Sequence, residues 1–151
     1  MELSEILDDA IDQTVASYQA IISADADLQD IPQECIREWY SSSSPDAEMI
    51  LIDAETINPL HPQNYRRIEI TMIIAVMTSF DLANSRARHR QLTAAVISSL
   101  HTTTLYNALS PRLAEQWTLD AVQPGQITQA TTDDDNYRRR NIQLKLQVTA
   151  K

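Results

Sequence analysis

Three histidines, one cysteine and twenty-one carboxylates are the residues of this 151-residue chain that could do chemistry. Their spacing argues against most of it. His61, His89 and His101 include no pair at three or four residues' separation, and Cys35 lies far from all of them, so no zinc-ligand spacing is present. His89 opens the apolar stripe of a predicted helix and reads as a partly buried structural residue. Asp133, Asp134 and Asp135 could gather a divalent cation. Their loop, however, has no glycine and no glutamate at the twelfth position, which excludes an EF-hand and leaves a solvated turn. Serines 41–44, Ser98 and Ser99 sit in no nucleophile elbow. The chain holds a single glycine, Gly125, and so cannot build the glycine-rich loops of nucleotide-binding or acyl-transfer sites. No pair of carboxylates stands out for acid–base work. The sequence therefore predicts no enzyme, no cofactor and no metal.

The arginines are more informative. They cluster as Arg66-Arg67, as Arg86, Arg88 and Arg90 around His89, and as Arg138-Arg139-Arg140. A nucleic-acid reading is opposed by the acidic total, the lack of interleaved aromatics and the absence of a recognition motif. Residues 1–64 carry fourteen acids and one base, a net of −13, whereas residues 65–151 carry seven acids and eleven bases, a net of +4. Such asymmetry suits a head-to-tail contact in which the acidic surface of one copy meets the basic surface of the next and closes a ring. Arg86 to Arg90 also fall in the first turns of a predicted helix, where the macrodipole disfavours cations by a few tenths of a kcal/mol, about 0.3 each. A carboxylate-rich neighbouring copy is the expected compensation. Arg86, Arg88, Arg90, Arg138, Arg139 and Arg140 are thus the candidate subunit interface.

The elements that position these arginines begin with a long strand. Ile68, Ile70, Met72, Ile74, Val76 and Phe80 alternate on one face, and from Ile73 to Met77 the other face is apolar too. That end should be covered on both sides. After Asp81 the period changes: His89, Leu92, Ala95, Val96, Ser99 and Leu100 form one helical stripe, with Asp81 or Asn84 as N-cap. Upstream, Leu3 to Ile22 make an amphipathic first helix with Glu5, Asp8, Asp9 and Asp12 toward solvent. Pro32 reads as the start of a short second helix with Cys35, Ile36 and Trp39 inward. A first strand is expected at residues 48–54, and a turn-rich loop at residues 58–64. Beyond the central helix, residues 102–109 continue as a broken helical turn to Pro111. Short strands are expected at residues 117–122 and 127–131, separated by a turn at Pro124-Gly125. The last element is an alternating strand, Arg138, Arg140, Ile142, Leu144, Leu146 and Val148 on one face, which closes a C-terminal hairpin.

The fold class read from this pattern is α+β: a small antiparallel sheet of about four strands flanked by an N-terminal and a central helix. One domain over residues 1–151 is expected, helical and acidic over 1–45 and a sheet-and-helix core over 46–151. A lone cysteine, an acidic N-terminus and an apolar run no longer than Met72 to Met77 point to a soluble, intracellularly made protein.

The order of elements, with "RRIEITMIIAVMTSFD", the helix "SRARHRQLTAAVISSL" and the final strand "YRRRNIQLKLQVTA", resembles the tail-terminator and head–tail joining proteins of tailed bacteriophages. The resemblance runs from about Met1 to Val148. It implies a hexameric ring in the virion neck, made in the bacterial cytoplasm, that caps the tail tube and docks the head connector or stopper. DNA would pass without sequence-specific binding, and no membrane is involved. The loop Asp133, Asp134 and Asp135 is then a candidate for the lumen, where acids repel phosphates. A stopper or adaptor of the same neck, or a non-enzymatic adaptor binding a basic partner through residues 1–64, is the alternative.

Overall fold

The computed structural model describes residues 3–32, 35–38, 48–61, 64–100, 102–113, 117–131 and 137–151. The elements in order are α1 (Leu3–Ser23), a 3₁₀ turn (Ala26–Leu28), β1 (Ile36–Glu38), β2 (Glu48–His61), β3 (Asn64–Ser79), α2 (Ser85–Ser99), α3 (Thr102–Leu113), β4 (Trp117–Thr131) and β5 (Tyr137–Ala150). The strands form one sheet in the order β1-β2-β3-β5-β4. This is an α+β fold with an N-terminal and a central helix.

β3 is the middle strand, held antiparallel by β2 on one side and β5 on the other. Its even residues Ile68, Ile70, Met72, Ile74 and Val76 are fully buried and meet Ile142, Leu144, Leu146 and Val148 of β5 in register. All three helices cover this face. Val15, Tyr18 and Ile22 of α1, Leu92 and Val96 of α2, and Leu105 and Leu109 of α3 join the strands in one cluster. The opposite face carries a smaller apolar cluster of Met49, Leu51 and Ala75, with Met77 and Tyr137 against it. The two-sided apolar end expected for β3 is present. Phe80, expected to share the inner face, lies past the strand end and is exposed.

Four expectations need correction. Among the described residues the sheet has five strands rather than about four, and it is mixed, because β1 runs parallel to β2 through Ile36↔Ile50 and Glu38↔Ile52. Of the helix expected from Pro32, Cys35 is in a 3₁₀ turn and its N–H donates to the Pro32 carbonyl, but Ile36–Glu38 are this short strand. Cys35 and Ile36 are still buried, and Trp39 lies outside the described residues. Residues 58–61 are strand rather than loop: Pro59 pairs with Ile68 where β1 has ended and β2 is an edge, so its missing N–H costs no sheet hydrogen bond. The two short strands of the C-terminal hairpin are one edge strand, β4, bent by register shifts between Leu119 and Ala121 and between Pro124 and Ile127. Gly125 sits in the second shift, where a Cβ would come within 2.8 Å of the Gln143 carbonyl oxygen.

α1 buries Tyr18 completely, and its hydroxyl finds no hydrogen-bond partner among the described residues. Burial alone pushes its pKa far above the ordinary phenol range. An unpaired buried hydroxyl costs about 1–3 kcal/mol. Tyr18→Phe is therefore expected to raise the urea midpoint, by about 1 kcal/mol of stability. A loss of stability would show that the hydroxyl is satisfied.

Candidate functional site

The two arginine clusters arrive at one place by two routes. α2 begins at Asn84, whose left-handed backbone (φ 57°) turns the chain from β3 into the helix without a side-chain cap. Its first turn has no acid. The inner face of β5 points Arg138 and Arg140 beneath this helix start. Arg138 donates from Nε to Ser85 Oγ at 3.2 Å and lies over the Phe80 ring at 4.8 Å. Arg140 keeps a buried Nε with no partner among the described residues. Between them and β3, His89 is buried, its Nδ1 3.0 Å from Thr78 Oγ1. Burial lowers the pKa of His89 first, and the positive charges of Arg140 and Arg138 lower it further.

Arg88 is spent inside the subunit. Its Nε and Nη2 fork onto Glu48 of β2 at 2.5 and 3.0 Å, and Nη2 also meets Asp30 at 2.8 Å. A further bond runs from Nη1 to Gln91 Oε1. The Arg88 and Glu48 side chains are only 16% and 18% exposed, so the fork is well shielded, and it raises the guanidinium pKa. The compensation for a cation near the helix start thus comes, at Arg88, from carboxylates 40 and 58 residues upstream in the same chain. Arg86 and Arg90 are exposed on α2. Arg139 is on the other face of the sheet, bonded to Asn141. Asp133, Asp134, Asp135 and His101 lie outside the described residues, as does the side chain of His61.

Next to the basic cluster, and missed by the sequence reading, is an apolar cleft of about 280 Å³ lined by Ile97 and Leu100 of α2, Pro124, Gly125 and Ile127 of β4, and Ile142 and Leu144 of β5. Ile97 and Ile127 are among the few exposed large apolar residues of the described chain. The signal available in the sequence was the isolated isoleucine after Pro124-Gly125. Its exposure depends on how the strand bends there. Among the described residues no cluster of three or more potential metal ligands occurs, and no helix is long and apolar enough to cross a membrane.

No protein-family model matches the chain, and no curated protein matches it in sequence. Its fold is similar to a solved chain from the virion of a native gene transfer agent particle: TM-score 0.66, 14% identity, covering 89% of this chain and 93% of that one. At that identity the likeness speaks for the fold.

Arg88→Met keeps the aliphatic stem but strands Glu48, and it is expected to cost about 1–3 kcal/mol in chemical denaturation. For His89 the sign is fixed by its lowered pKa. The unfolded chain takes up this proton near pH 6.5 and the folded chain only below that, so stability falls as pH drops through 6.5. His89→Gln should flatten this part of the stability–pH curve. Asp53, whose pKa burial raises, acts in the opposite sense at lower pH, near its ordinary value of 3.8 and above.

Proposed function

We propose that this chain is a structural subunit of a virion, a tail terminator of the head–tail neck, that assembles into a ring of about six copies, joins tail tube to head connector and lets DNA through. The observation that carries the reading is the fold shared, nearly end to end, with a chain of a virion particle. Three features of this chain support it. Its charge is divided between an acidic N-terminal part and a basic remainder, which suits a repeated head-to-tail contact. Exposed Arg86 and Arg90 lie on a helix whose own residues include no acid. The net charge of −9 disfavours adhesion to passing phosphates.

The test is the absolute mass of the purified protein by light scattering over a range of concentration, with negative-stain imaging. Particles of roughly six times the 17.1 kDa chain, seen as rings, are the expected result. A 1:1 complex with a basic protein partner, with no self-assembly at any concentration, would favour the adaptor reading and overturn this one.

A further inference from the structure

The proposed ring needs two different surfaces on each copy, and the fold offers a matched pair. At one margin β4 is the edge strand, and its bend around Pro124 to Ile127 opens a cleft beside α2. There Ile127, opposite Ile142 in register, is 49% exposed although it points to the helix side. α2 runs alongside as a wall. A shelf results that is basic at one end, with Arg86, Arg90, Arg138 and Arg140, and apolar at the other, with Ile97 and Ile127 rimming the cleft. α2, α3 and β5 contain no acid, and β4 contains only Asp120, which is turned to Arg67 and Thr149 near the strand's opposite end. The shelf therefore brings to one surface positive charge, a guanidinium nitrogen without a partner among the described residues, and two exposed isoleucines.

α1 packs on β1, β2 and α3 and leaves its outer side to solvent. Its outer stripe repeats the same division along its length. Glu5, Asp8 and Asp12 are exposed on the N-terminal half, and Ala16, Ala20 and Ser23 follow on the C-terminal half, where Ala16 to Ala24 line a shallow depression. At about 1.5 Å per residue, Asp8 to Ala20 spans about 18 Å and Arg86 to Ile97 about 17 Å. Acids thus face arginines while small residues face the two isoleucines, if the helices lie in the same direction.

We infer that the shelf between α2 and β4 receives the outer face of α1 from a second copy of this chain, with Asp8 and Asp12 against Arg86, Arg90 and Arg140, and Ala16 and Ala20 over Ile97 and Ile127. The two surfaces are different, so the contact is heterologous and repeats around a ring. This inference rests on the proposed ring assembly and names its contact. Arg88 and Arg139 have no part in it.

A charge swap tests it on the full-length protein. Arg86→Glu with Arg90→Glu, and separately Asp8→Lys with Asp12→Lys, should each weaken self-association by about tenfold or more in sedimentation velocity. All four positions are exposed, and circular dichroism checks that each variant is folded. Combining the two reversals should restore association, and raising salt should weaken the wild-type contact. Ile127→Asp, also exposed, should weaken association with no change of fold. Rings that persist in both reversals would sink this contact while leaving the ring reading standing. Failure of the combined variant to recover, with both single sets dissociated, would also overturn the pairing. Wild-type protein that stays monomeric at every concentration and salt would overturn both.

Discussion

Burial of the even face of β3 is the constraint on which everything else depends. Five consecutive inward positions, Ile68, Ile70, Met72, Ile74 and Val76, are removed from water. At about 1.5–3 kcal/mol for each buried aliphatic side chain, they supply gross stabilisation on the order of 10 kcal/mol, comparable with the net stability of a typical domain. They can be buried only if helices close one side of the sheet, so the positions of α1, α2 and α3 follow from the demand of this strand. β2 and β5 then pair with it on either side over most of its length, which leaves no edge at the most apolar part of the sheet.

The edges that remain are managed by irregularity. β4 carries a proline, a glycine and two register shifts, and β2 carries two shifts and Pro59 beyond the end of β1. Prolines and bulges interrupt the row of free amides that another strand would need. An edge so interrupted is poorly suited to strand addition. A contact at this margin is better made by side chains, and side chains are what the shelf beside β4 presents. The bend at Pro124–Ile127 both spoils the edge and opens the apolar cleft against Ile97.

The arginines divide by the dielectric of their surroundings. Arg88, shielded between α2 and β2, gains a forked carboxylate and a second acid, and it ties the segment after α1 to the start of α2. Such a pair locks geometry because stripping either partner leaves a shielded charge alone. Arg86 and Arg90, exposed to water on a helix with no acid of its own, hold little energy where they are. Charges of that kind set partner choice and encounter rate more than fold stability.

The sequence by itself determined the elements whose patterns are long and regular: α1, β3, α2 and β5, the α+β class, and the inward stripe His89, Leu92, Val96 and Leu100, all buried as the helical period requires. It also identified the arginine clusters. Only the tertiary structure decided that Ile36–Glu38 is a strand, because three residues have no period to read and extend only by pairing with β2. The same holds for Pro59 and Pro124-Gly125, which local chemistry assigns to turns and which a sheet edge admits. The fate of Arg88 was likewise invisible in the chain order, since Asp30 and Glu48 reach it only after β2 and α2 pack together. Periodicity is a local property and survives in the sequence. Pairing, exposure and charge partnership are made between residues far apart, and the fold alone brings them together.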